Sequence, residues 1–383
     1  LKLAITAALA LTEHAEIENP LILVEDGRIS RLTSRLEDEV PRGARHLDHA
    51  GAVLAPGLVD IHIHGSAGHD VMEATGPALA AVETFLARHG VTSYLPTTVT
   101  ASVDKTLAAL EHLGAAVRGP AQKGRAQARG IHLEGPFIST AKCGVHPVHE
   151  IIAPSLELFE KMWAASQQSV SMVTLAPELP GAEAFTRELA RRGVRISLGH
   201  SNALAAETQR AIEAGATHAT HTFNAMRALD HREPGILGTV LADDRVSADI
   251  IADGIHVAPE MVRLFLRSKG SGAVLITDAI SATGMPDGKY RLGTFEVEVQ
   301  GERCLLDGRL AGSVLTLDRA VRNAMRFASL PLTGALSLAT KNAAHAGGLD
   351  CGVLREGGEA DMVVLSAAGD VVQTYVRGEA AIA

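Results

Sequence analysis

From Ala55 onward the chain repeats one unit eight times: a short apolar, β-branched run, then a stretch with apolar residues at spacings of three and four. The pattern predicts strands near 59–64, 92–98, 130–134, 171–176, 195–200, 217–221, 247–253 and 273–278. Helical spacing fills 77–90, 103–117, 155–167, 181–193, 203–215 and 259–270, and several of these stretches end in Gly, the usual C-terminal stop. It is least clear in 222–246. Eight strands separated by helices favour a closed ring over an open sheet, so the expected class is α/β, a (β/α)8 TIM-type barrel. Two further helical stretches, 316–329 and 333–347, lead out of it.

The two ends of the chain read differently. Residues 1–56 show short strands with turn punctuation, including Asp26-Gly27 between two alternating runs and breaks at Pro41, Gly43 and Gly51. Near the C-terminus, two apolar strands flank Gly369-Asp370. Neither end has enough apolar surface for a core of its own. The expectation is one small β-sandwich domain built from 1–55 and 346–383, with the barrel domain, 56–345, inserted between them.

In such a barrel the reactive groups lie at the C-terminal ends of the strands. That is where the chemistry-bearing residues of this chain fall. His62 and His64 sit in PGLVDIHIHG, Glu134 in GIHLEGPFI, His200 in RISLGHSN, His221 in THATHTFNAM and Asp278 in AVLITDAIS. A carboxylate ending an apolar strand is costly to desolvate unless it is paired, hydrogen-bonded or bound to a metal. His62 and His64 are two apart on a strand, so both point to one face. They are either two buried, hydrogen-bonded histidines or metal ligands, and the company of the other strand ends favours ligands. Asp60 shares their parity and could accept a ring N–H.

Glu134, His200 and His221 form an O,N,N set suited to a divalent transition metal such as zinc or iron. His218 has the opposite parity to His221 and is expected to be structural. Asp278 could cap a helix, with Ser281 to Thr283 following, or act as ligand, proton acceptor, or both. No G-x-S-x-G elbow and no phosphate-binding G-x-x-x-x-G-K-[ST] loop is present. Cys143 lies in a Gly- and Pro-bearing loop; nothing in the sequence makes it a nucleophile, and a lid role is only the lesser alternative.

Composition narrows the setting. Aromatic residues make up only 3% of the 383, so the core must come from Ala, Val, Leu and Ile. A net charge of −9 argues against a nucleic-acid surface, and an anionic substrate would need a local positive group. No apolar run approaches the roughly 20 residues that span a bilayer, and no signal peptide is evident. Three scattered cysteines give no disulfide framework. The expectation is a cytoplasmic protein without membrane or nucleic-acid partners.

PGLVDIHIHG, HLEGPF, SLGHSNA, HTFNAM, REPG, IADGIHV, LITDAISATG and LAGS occur in this order between residues 56 and 313. Together they resemble the N-acetylglucosamine-6-phosphate deacetylase family of the amidohydrolase superfamily. The resemblance implies hydrolysis of the acetamide of N-acetyl-D-glucosamine 6-phosphate, giving D-glucosamine 6-phosphate and acetate. It implies a divalent metal, zinc first with iron, cobalt or manganese as alternatives, held by Glu134, His200 and His221. Because His62 and His64 are retained, a second metal bridged by Glu134 is open, so one or two per subunit. Asp278 would be general base, then acid. Val145 and His146 would contact the substrate near the scissile carbonyl. Asn224, Ala225 and His256 would line the sugar-phosphate pocket, and Leu310 to Ser313 would close over the sugar. Arg232 would bind the phosphate from the neighbouring subunit of a homodimer.

The chain departs from the family pattern at Cys143, where Lys commonly precedes the Gly. Two rivals stay within the superfamily: a deacetylase of the galactosamine isomer, and a cyclic-amidase. The latter often use a carbamylated lysine on the fourth strand, and SVSMVTLAPE contains none. A non-enzymatic scaffold of the same fold would be expected to have lost its ligand positions, which here are all intact.

Overall fold

The computed structural model describes residues 3–293 and 295–382. Its centre is a ring of parallel strands: β1 (Leu58–Ile63), β2 (Val91–Thr98), β3 (Ile131–Glu134), β4 (Val170–Leu175), β5 (Arg195–Leu198), β6 (His218–Ala219), β7 (Ser247–Ile251) and β8 (Ala273–Ile276). Each strand pairs with the next in parallel register. The seam between β8 and β1 is closed by a parallel bridge from Ile63 to Ala279 and by the Asp278 N–H, which donates to the His62 carbonyl at 3.0 Å. The fold is the TIM-type barrel that the β/α rhythm implies.

Asp60 completes that seam. Its carboxylate accepts the Thr277 hydroxyl at 2.6 Å, and its nearest link to His62 is the backbone N–H at 3.3 Å. The expected ring N–H contact is therefore absent, because the strand ends at the seam draw the carboxylate toward β8. Burial raises the Asp60 pKa to about 6, against the opposing Thr277 and His62 hydrogen bonds.

Helices on the outside bury one stripe each. In Leu317–Ala328 the buried residues Leu317, Ala320, Val321, Ala324 and Phe327 follow the 3.6 period, and the arginines face away from them, while Asp318 is buried in the first turn. Thr75 and Ser155 cap Gly76–Arg88 and Leu156–Ala165 by accepting first-turn N–H groups. The unclear segment 222–246 contains one short helix, Gly235–Ala242, whose sequence GILGTVLA is apolar almost throughout and so shows no amphipathic signal.

Both ends of the chain join one eight-stranded sheet, in which Arg45–Pro56 pairs antiparallel with Met362–Leu365 and parallel with Leu3–Leu11. Asp26 and Gly27, both at positive φ, form the hairpin turn between Pro20–Glu25 and Arg28–Ser34. The sheet curls on itself: the Ala360 N–H donates to Gly27 and the Gly378 N–H to Ala360. Ile5, Ile22, Val24, Leu54, Met362, Val364 and Tyr375 fill the space enclosed.

After β8 comes an element that the sequence reading leaves unassigned. Gly288–Leu292, Phe295–Gln300, Arg303–Leu306 and Arg309–Leu310 form a four-stranded antiparallel meander. Leu292, Val297, Val299 and Cys304 pack it against Ile280 and Ala282, so it stands over the barrel mouth.

Candidate metal centre and pocket

The barrel mouth opens into a cavity of about 160 Å³. At its floor, residues from five strand ends converge. Glu134 Oε1 lies 2.9 Å from His221 Nε2 and 3.1 Å from His200 Nε2, and the two ring nitrogens are 3.1 Å apart. Beside this trio stands a second. His64 Nε2 is 3.2 Å from His62 Nε2 and 3.1 Å from Asp278 Oδ1. Glu134 joins the two sets, since its Oε2 is 3.2 Å from His64 Nε2.

These distances suit a metal. Two donors each 2.0–2.1 Å from one tetrahedral ion are about 3.3 Å apart, close to the spacings in both trios. Ring orientation agrees. The carbonyls of Thr97 and Lys142 face His64 Nδ1 and His200 Nδ1, each at 2.9 Å. A carbonyl can only accept, so Nδ1 carries the proton and Nε2 offers its lone pair to the centre. Both sets are buried donor groups of the kind that hold a divalent cation.

The backbone is bent to achieve this. His200, His221 and Asp278 have φ of 47°, 30° and 50°, a left-handed region that non-glycine residues rarely enter. At His221 this turn also ends β6, which is two residues long rather than the five expected. Asp249 holds the turn by accepting the His221 N–H, and its second oxygen takes His218 Nε2 at 2.8 Å. His218 Nδ1 is satisfied by Ser247, so that ring faces away from the cluster.

Charge follows from the crowding in the chain alone. Burial would raise the Glu134 pKa, but His62, His146, His200 and His221 hold it well below the usual carboxylate range. Asp278 is likewise lowered to about 2, burial being outweighed by the bond to His64 and the charge of His62. Burial lowers His200 to about 4, whereas Glu134 overcomes burial at His221 and raises it to about 9.

The walls of the cavity include Val145, His146, Asn224, Ala225, His256 and Leu310. His256 is oriented by Asp253, whose Oδ2 is 2.7 Å from His256 Nδ1. Ser313 lies beneath the cavity rather than in its wall. Its hydroxyl donates to the Thr277 carbonyl and its N–H to the Asp278 carbonyl, so it shapes the Asp278 turn. Arg232 is exposed on the loop before Gly235 and does not line this chain's cavity. Cys143, half-buried at the end of a short 3-10 turn, does not line it either.

Sequence reasoning misses several wall residues. Val99, Ile251 and Leu292 are apolar and carry no chemical signal. Gly144 has one: a Cβ there would sit 3.1 Å from His200 Cε1, so the loop needs glycine to approach the ring. Also missed is His132, buried behind the cluster with both nitrogens spent on the Ile61 carbonyl and Thr174.

Comparison with known proteins agrees with this geometry. The model of the amidohydrolase family matches residues 53–381. An N-acetylglucosamine-6-phosphate deacetylase of Lysinibacillus sphaericus is 38% identical, covering 90% of this chain and 88% of its own length. An N-acetylgalactosamine-6-phosphate deacetylase of Escherichia coli O157:H7 is 36% identical over 97% of both chains. Among solved structures, a variant N-acetyl-D-glucosamine-6-phosphate deacetylase of Mycobacterium smegmatis, in complex with N-acetyl-D-glucosamine-6-phosphate, superposes with a TM-score of 0.93 at 34% identity, covering all of both chains.

Proposed function

This chain belongs to the amidohydrolase family, and from that premise we propose its reaction: removal of the acetyl group from N-acetyl-D-glucosamine 6-phosphate, giving D-glucosamine 6-phosphate and acetate. The observation that carries the reading is the convergence of Glu134, His200 and His221 beside His62, His64 and Asp278 at one barrel mouth. That the relatives bearing this likeness include deacetylases of N-acetylglucosamine 6-phosphate supplies the substrate.

Glu134, His200 and His221 would hold the principal divalent ion, and zinc suits their O,N,N set best. His62, His64 and Asp278 would form a second position, with Glu134 between the two. A divalent ion held there supplies Lewis acidity to the amide carbonyl and acidity to water. Asp278, ionised at neutral pH in this setting, takes the proton of the attacking water and returns it to the departing amine. His146 faces Glu134 across 3.5 Å and would meet the acetamide oxygen. Asn224, Ala225, His256 and Leu310 would embrace the sugar, with Val145 at the acetyl end. Ser313 would act from below by holding the turn of Asp278.

Arg232 would reach the phosphate of the neighbouring active site in a homodimer. Its exposure on this chain leaves it free to do so, and a guanidinium fork matches phosphate bidentately. Among the described residues no helix is long and apolar enough to cross a membrane. Three free thiols accord with a reducing, cytoplasmic setting.

The test is acetate release from the phosphorylated amino sugar by metal-replete protein, alongside its metal content. No release from either the glucosamine or the galactosamine isomer would overturn the reading. A higher kcat/KM on the galactosamine isomer would move the substrate to that sugar.

A further inference from the structure

His146 is buried in the cavity wall, with Nε2 directed at the cluster and Nδ1 turned away toward the loop after β2. There the Thr100 backbone N–H points at Nδ1 over 3.2 Å, and the Thr100 hydroxyl lies 2.7 Å from the same atom. A backbone N–H can only donate, so Nδ1 must offer its lone pair. In the neutral ring the single proton then sits on Nε2.

This is the opposite of the arrangement at His64 and His200. Their Nδ1 atoms face carbonyls and their Nε2 atoms are lone pairs suited to a metal. His146 instead shows the cavity an N–H. We propose that Thr100 is a positioning residue: it holds His146 in the Nε2–H tautomer, so that the ring presents a hydrogen-bond donor to the acetamide oxygen of the substrate. The identity of that oxygen rests on the deacetylase reading, whereas the tautomer rests on the geometry around Nδ1.

Thr100 is itself built in. It is buried, and the turn that follows Glu134 makes room for it. Gly135 has φ of 80°, and a Cβ at that position would sit 2.0 Å from Thr100 Oγ1. The turn after the metal-facing carboxylate and the donor behind His146 are thus shaped against each other. A fixed donor costs no reorganisation as charge develops on the carbonyl oxygen, which is the condition for electrostatic catalysis.

The experiment is 15N NMR of the imidazoles in the zinc-loaded full chain, with His146→Gln to assign the signal, together with steady-state kinetics. In the wild type, His146 is expected to carry its proton on Nε2. Thr100→Val removes the hydroxyl but keeps the backbone N–H, so the Nε2–H tautomer should persist while the ring loses its 2.7 Å contact, and kcat should fall about tenfold with KM changed less than about twofold. Thr100→Ser keeps the hydroxyl and should restore kcat. Thr100→Ala provides the same test without the bulk of Val, and metal content and Tm show that each variant is folded. A wild-type His146 protonated on Nδ1 would overturn the proposal. So would Thr100→Val and Thr100→Ala proteins that keep wild-type kcat. An Nε2–H signal in a protein that releases no acetate would uphold the tautomer and count against the deacetylase reading instead.

Discussion

Asp278 Oδ1 lies 3.1 Å from His64 Nε2, which joins the end of the eighth barrel strand to the end of the first. The contact exists because the seam closes: the Asp278 N–H donates to His62 while the Asp278 side chain meets the next histidine along the same strand. It keeps the carboxylate ionised at the cavity wall.

Replacing Asp278 by Asn keeps the shape and removes the acceptor. Turnover is expected to fall by about 10²–10⁴, the usual contribution of general acid–base catalysis, with KM little altered. Steady-state kinetics and substrate binding measured separately check this, and a near-normal kcat would remove Asp278 from the role.

Glu134 faces both trios, so its loss should be felt at both positions. Glu134→Ala is expected to bind less than one equivalent of zinc, whereas the double variant His62→Gln/His64→Gln should keep the ion held by Glu134, His200 and His221. Metal analysis after gel filtration distinguishes them. Full metal content in Glu134→Ala would show that the carboxylate is no ligand.

Arg232→Ala should raise KM for the phosphorylated sugar about tenfold or more, since charge-assisted pairs with phosphate are among the stronger hydrogen bonds. Mixing it with Asp278→Asn separates the two geometries. If the arginine serves the adjoining subunit, the mixed dimer contains one complete site and regains activity. No recovery on mixing would confine Arg232 to its own chain.

A prediction about stability arises away from the site. Asp318 is buried where Leu317–Ala328 begins, 3.2 Å from His89 and 3.0 Å from Arg322. Burial would raise its pKa, yet the His89 and Arg322 contacts lower it from 3.8 to about 2. The folded value lies below the unfolded one, so the stabilisation is complete above about pH 4 and disappears as pH falls through 2. Asp318→Asn should therefore cost about 2 kcal/mol at neutral pH, and the difference from wild type should shrink toward pH 2. Urea titrations at several pH values read it, and a difference independent of pH would assign the effect to packing.

Much of the barrel is legible because its signals are local. The period of two places His62 and His64 on one face, and the period of 3.6 writes the helix stripes, whatever the rest of the chain does. The helix at 235–242 escapes the same reasoning because its GILGTVLA sequence has no polar face to mark the period. The meander at 288–310 escapes too: its strands are short, and only FEVEVQ alternates visibly between buried and exposed. Leu292 and Leu310 reach the cavity through that meander, one carrying no signal and the other found by resemblance alone.

The amino-acid order by itself determined the eight barrel strands, most of the helices between them, and which residues could end a strand with a metal-seeking side chain. Tertiary structure decided which of them meet. Ring closure set Asp278 against His64, left-handed turns aimed His200 and His221 at Glu134, and Asp249 held one histidine inward by its backbone and another outward by its ring. The physical reason is range: side-chain parity is set by bonds between neighbours, while ring direction and tautomer are set by carbonyls and N–H groups that only the folded chain brings within hydrogen-bond distance.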